Sequence, residues 1–129
     1  MSDDQLQRIL VVDDDPDICR LATLALQRVG GFDVQTCCDG AEALQVAPEF
    51  GPDLIVLDVM MPQMDGIELF EAFSEHPQLA SVPVIFITAR AQKPEIDRYL
   101  ALGAIGVIKK PFDPMTLADE ILRIWARRL

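Results

Sequence analysis

Short, fully apolar runs alternate along this chain with longer stretches in which apolar residues recur every three or four positions. Residues 9–12 (ILVV), 54–57 (LIVL) and 84–87 (VIFI) are apolar throughout and rich in β-branched side chains. Runs of this kind predict strands covered on both faces, as inside a parallel sheet. Residues 33–37 (DVQTC) mix polar and apolar positions and residues 106–109 (GVIK) make a short run, so both suit sheet edges.

The stretches between them have helical spacing. Asp15 can cap a first helix that carries Pro16 in its first turn, where a missing N–H does no harm. Ile18, Leu21, Ala22, Ala25 and Val29 then mark one face, and Gly30-Gly31 ends the helix. A second helix is expected over residues 40–47, closed by Pro48 and the turn-rich FGPD that follows. A third covers 66–75 with Asp65 as its cap, and a fourth spans about 94–102. The last starts at Asp113-Pro114 and runs toward Arg128, with Leu117, Ile121 and Ile124 facing inward.

Five consecutive β-α units with short connections predict an α/β fold, a doubly wound parallel sheet with helices on both faces. With the second and fifth strands at the edges, the five strands take the order 2-1-3-4-5, the flavodoxin-like (βα)5 arrangement. No linker or repeat interrupts the pattern, so the expectation is one domain over residues 1–129 with a core of about 8–128. Ligands of such sheets bind beyond the carboxyl ends of the strands, where the strand order reverses.

At those ends the sequence becomes specific. The first strand runs into Asp13-Asp14, the third into Asp58, the fourth into Thr88 and the fifth into Lys109-Lys110-Pro111. Carboxylates crowded at one rim repel one another unless a cation joins them. An all-oxygen set suits a hard ion, and Mg2+ fits because it accepts a few carboxylates and keeps waters for the rest. Asp58 is then placed to attack phosphorus and form an aspartyl-phosphate, while a lysine ammonium and a threonine hydroxyl each hold a phosphoryl oxygen. Adjacent strand residues point to opposite faces, so only one of Lys109 and Lys110 can enter the site.

Composition narrows the picture further. A formal charge of −10 argues against nucleic acid or an anionic membrane as a direct partner. Cys19, Cys37 and Cys38 show no metal-ligand spacing, and neighbours in a strand do not bridge, so reduced structural cysteines in a cytoplasmic setting are expected. The start MSDDQLQRIL lacks the basic and apolar regions of a signal peptide, and every apolar run falls well short of the ~20 residues that span a membrane. Asp15 and Asp17 read as a cap and a first-turn charge, Met60, Met61 and Met64 as loop packing, and His76 as a surface residue with no phosphate-carrying role.

The runs ILVVDDDPDI, LIVLDVMMPQMDGIEL, VIFITA and GVIKKPFDPMTL resemble the receiver domains of two-component response regulators along the whole chain. The resemblance implies that Asp13 and Asp14 are the acidic pair, Asp14 the more direct metal ligand, and Asp58 the phospho-acceptor. It gives Met60 the role of offering a backbone carbonyl to Mg2+, Thr88 that of the switch hydroxyl and Lys110 that of the phosphate-contacting lysine. It also implies a cis bond between Lys110 and Pro111. The expected donor is a sensor histidine kinase or phosphotransfer protein, and the chemistry is self-catalysed phosphoryl uptake and slow loss, without turnover of a separate substrate.

Three positions qualify the match. Val107 stands where many receivers carry Tyr or Phe, and Met60 and Arg90 flank the site entrance. The chain ends after the fifth helix, so output is expected through surface contact at the fourth helix, fifth strand and fifth helix. Tyr99, Ile105 and Trp125 are candidate contacts there, with Trp125 equally readable as packing against the sheet. A phosphatase of the haloacid-dehalogenase type shares the Asp, Thr, Lys and Mg2+ set, but places its nucleophile after the first strand and its acid pair last. A degenerate receiver serving as a fixed scaffold is the third reading, and the intact acid set speaks against it.

Overall fold

The computed structural model describes residues 5–128. Its strands are β1 (Arg8–Val12), β2 (Asp33–Cys37), β3 (Leu54–Asp58), β4 (Val84–Thr88) and β5 (Gly106–Lys109). All pair in parallel, in the order β2-β1-β3-β4-β5. The helices are α1 (Pro16–Thr23), α2 (Gly40–Phe50), α3 (Gly66–Glu75), α4 (Lys93–Leu102) and α5 (Leu117–Arg127).

Strict alternation along the inner strands divides the interior in two. Ile9, Val11, Leu54, Val56, Ile85, Ile87 and Ile108 pack with α1 and α5. Leu10, Val12, Ile55, Leu57, Val84 and Phe86 pack with α2, α3 and α4. Because both faces are covered, β3 and β4 are buried at every position, including their last residues Asp58 and Thr88. A polar residue is costly to bury there unless the surroundings satisfy it.

Three helix expectations are corrected. The face proposed for the first helix fails at its end: α1 runs on into a π-helical turn, Leu24–Val29, closed by Gly30 N–H on the Ala25 carbonyl at 3.2 Å. The wider turn advances the buried face by about one position. Leu26 therefore fills the core, while Leu24 and Val29 are 53% and 48% exposed. Pro48 does not close α2, which continues to Phe50 and ends where Gly51 takes a left-handed φ of 66°. A proline forfeits one helical bond, but here the Gly51 N–H still reaches the Ala47 carbonyl at 3.1 Å and completes the turn. Finally, Asp113-Pro114 opens a single turn before regular α5 begins at Leu117.

Burial also corrects some surface assignments. Tyr99, offered as a contact residue, is buried, Ile105 is half-buried, and Trp125, open to either reading, packs in the core. Cys19 and Cys37 are buried free thiols, whereas Cys38 is exposed. Met61 does pack inside, but Met60 is 55% exposed. Among the described residues no helix is long and apolar enough to cross a membrane.

The start of α3 presses against the end of β3. Gly66 donates its N–H to the Val59 carbonyl at 2.9 Å, and a Cβ built on it would lie 2.2 Å from the Asp58 carbonyl oxygen. The obstacle is backbone, which cannot swing aside as a side chain would. Gly66→Ala is therefore expected to cost about 3 kcal/mol, at the upper end of overpacking penalties. Urea denaturation checks this, and a variant as stable as the parent would show that the two segments can separate cheaply.

Candidate functional site

Register alone brings the predicted residues together. Val12 lies opposite Leu57, which sets Asp13 level with Asp58. Asp58 lies opposite Ile87, and Thr88 opposite Lys109, so Thr88 and Lys110 arrive at the same rim. By the alternation described above, Asp58 and Lys110 fall on the α1–α5 side of the sheet and Thr88 on the α4 side. Lys109 points the other way and is exposed. The Lys110–Pro111 bond is cis.

The acids form one cluster. Asp13, Asp14 and Asp58 each offer a carboxylate oxygen within 4.8 Å of the others. Asp13 is fully buried and Asp58 is 2% exposed, while Asp14 faces solvent. Local bonds aim them: the Asp15 N–H donates to Asp13 Oδ1 at 2.9 Å, and the Met60 N–H to Asp58 Oδ1 at 3.2 Å. Asp15 meanwhile caps α1 by accepting from the Asp17 N–H, so the cap assignment holds and Asp15 stays outside the cluster.

Lys110 is the cation of this arrangement. Its Nζ lies 2.8 Å from Asp13 Oδ2 and 3.3 Å from Asp58 Oδ1. Burial pulls the ammonium downward, but the bond to Asp13 and the charges of both acids outweigh it and leave Lys110 above its ordinary value. Asp58 moves the other way from most paired carboxyls. Burial and then the Asp13 charge push it up to about 6, against the opposing pull of Lys110 and of the Met60 N–H.

One ammonium facing three carboxylates leaves two negative charges in excess. Asp13 Oδ2 is buried, with the Lys110 ion pair as its one contact and no further donor on it among the described residues. A buried carboxylate oxygen with spare lone pairs, beside an open-sided cluster of oxygens, is what a divalent cation would complete. The residues present fit such an ion.

Thr88 is fully buried, and its Oγ1 accepts the Arg90 N–H at 3.0 Å. An exposed cleft beside the acids is lined by Asp14, Met60, Arg90, Glu95, Arg98 and Tyr99. His76 lies at the opposite end of α3, where its Nδ1 accepts the Gln78 N–H, and takes no part in the site. Sequence reasoning missed the structural contribution of Tyr99 and Gly66. Tyr99 lies three residues after the half-buried Ile96, the helical spacing of an inward face, and that was its available signal.

The raised Asp58 carboxyl makes a prediction for protein held in chelator. A carboxyl whose folded value of about 6 exceeds its ordinary 3.8 destabilises the fold once ionised. The penalty is complete above about pH 6 and absent below about pH 4. Asp58→Asn should therefore be more stable than the parent at pH 7.5, by up to about 3 kcal/mol, and the gap should close as the pH falls to 4. Thermal melts across that range measure it; a gap independent of pH would contradict the crowding account.

Known proteins resemble this chain in sequence and in fold. The sequence profile described as the response regulator receiver domain matches residues 9–122. The chain is 41% identical over 123 residues to the alkaline phosphatase synthesis transcriptional regulatory protein PhoP of Bacillus subtilis, covering 94% of this chain and 49% of that one. It is 38% identical over 119 residues to the DNA-binding response regulator MtrA of Mycolicibacterium smegmatis, covering 92% and 50%. The chain thus spans about half the length of these curated relatives. Among solved structures, the chemotaxis protein CheY4 of Vibrio cholerae superposes with a TM-score of 0.84 at 33% identity, covering 93% of this chain and 99% of that one. With the strand order, the rim residues and these likenesses in agreement, the chain belongs to the response regulator receiver domain family.

Proposed function

We propose that this chain is a phosphorylation switch in which Asp58 takes a phosphoryl group from the phosphohistidine of a sensor histidine kinase or phosphotransfer protein. The observation that carries this reading is the convergence of Asp13, Asp14, Asp58 and Lys110 on one rim. Phosphoryl transfer needs little else, since its catalysis is mostly positioning and charge stabilisation.

In this mechanism a carboxylate oxygen of Asp58 attacks phosphorus in line with the departing imidazole. The P–N bond breaks, a P–O bond forms, and the imidazole keeps the electron pair. Asp58 at about 6 is largely ionised near neutral pH and so is competent to attack. Mg2+, held by Asp13, Asp14, Asp58 and the Met60 carbonyl, would neutralise the excess negative charge and polarise the incoming group. Lys110 gives up its share of Asp58 and pairs with a phosphoryl oxygen instead. Thr88, on the opposite side, donates its hydroxyl to another.

Order speaks against the haloacid-dehalogenase alternative, because Asp58 ends β3 and the acid pair follows β1. We read the chain as a protein that modifies itself and loses the group slowly, without multiple turnover on a phosphomonoester. DNA binding is named for relatives about twice this length. For the domain described here, the net charge of −10 favours protein partners over a phosphate backbone. A cytoplasmic site of action fits a histidine kinase as donor.

Incubation with a small phosphodonor and Mg2+ is expected to add one phosphoryl group, seen by mass spectrometry of the intact protein. Asp58→Asn should abolish the addition, and chelator should suppress it in the parent. Labelling of Asp58→Asn at the parental rate would remove the assignment.

A further inference from the structure

The proposed switch needs a route from Thr88 to the surface, and the residue best placed on β5 for an aromatic route is Val107, which has no ring or hydroxyl to move. A different route is visible on α4. The Arg90 N–H donates to Thr88 Oγ1 at 3.0 Å, and the Arg90 carbonyl accepts from the Tyr99 hydroxyl at 3.4 Å. One peptide residue thus joins the threonine hydroxyl at one end and the tyrosine hydroxyl at the other. The second bond is long for an O–H···O contact, so it is the slack link, able to tighten or part with little cost.

The ring of Tyr99 is held in a row of aromatics. It lies edge-on to Phe86, with centroids 5.4 Å apart, and Phe86 lies edge-on to Phe70 at 5.6 Å. Phe86 is two residues before Thr88 on the same face of β4, so backbone and side-chain paths from the threonine both reach Tyr99. Tyr99 is 4% exposed and sits on α4 beside the cleft that borders the acid cluster. We propose that Tyr99 is the positioning residue that couples the phosphoryl state of Asp58 to α4, through Arg90. When the Thr88 hydroxyl turns toward a phosphoryl oxygen, the Arg90 N–H follows it or loses its acceptor. Either way the Arg90 carbonyl shifts against the Tyr99 hydroxyl, and α4 feels the change.

This inference rests on the phospho-acceptor reading of Asp58, and one experiment separates the two. The chain contains one tyrosine, so growth with 3-fluorotyrosine gives a protein with one fluorine resonance, from Tyr99. Adding Mg2+ and beryllofluoride, which mimics the phosphoryl group, should produce bound-fluoride resonances and also shift the Tyr99 signal. Bound fluoride with an unmoved Tyr99 signal would overturn the coupling role alone. Absence of bound fluoride would remove the phospho-acceptor reading and this inference with it. Tyr99→Phe keeps the ring and removes the hydroxyl. It should load beryllofluoride as the parent does, yet lose the loading-dependent change in amide exchange across α4. An α4 response unaltered in Tyr99→Phe would also overturn the proposal.

Discussion

The structure turns on two carboxylates that the sheet buries side by side. Asp13 follows, and Asp58 ends, adjacent strands whose four preceding positions are apolar and buried, and both carboxylates are themselves buried away from water. A lone buried carboxylate would be expensive, and two together more so. Lys110 offsets part of the cost from the end of β5, and the remaining imbalance of charge is what the proposed cation and phosphoryl group would draw on. The reactive site is in this sense an unfinished salt bridge.

Much of this was legible in the amino-acid order because the relevant signals are short-range. The runs ILVV, LIVL and VIFI identify interior strands by composition alone, and a polar residue directly after each one must sit at a strand end. Asp65 was readable as the cap of the third helix, and the structure adds its reciprocal pair with Glu68 three residues on. Lys110 over Lys109 needed only the period of two, once Pro111 and the family pattern chose between them.

What escaped the sequence depended on contacts between distant parts of the chain or on irregular backbone. A regular helical period carried Val29 to the inside, whereas the π-helical turn shifts the face and buries Leu26 instead. Pro48 read as a terminator because its missing N–H is a local fact, while the bonds that carry α2 past it depend on Gly51. Trp125 was open to two readings on a strongly amphipathic helix, and only the position of α5 against the sheet buries it. Gly66 gave no warning at all: its lack of a side chain matters because the β3 carbonyl of Asp58 passes so close.

The sheet that separates the two cores also runs beneath the reactive rim, with Asp58 and Lys110 rooted in one half of the molecule and Thr88 in the other. Each half has its own side-chain packing, although the two share the backbone of the same strands. On the reading proposed above, replacements on the α4 flank can change what reads the signal while the acids and the lysine that receive it stay as they are. A lineage of such proteins can acquire new listeners without learning a new way to be addressed.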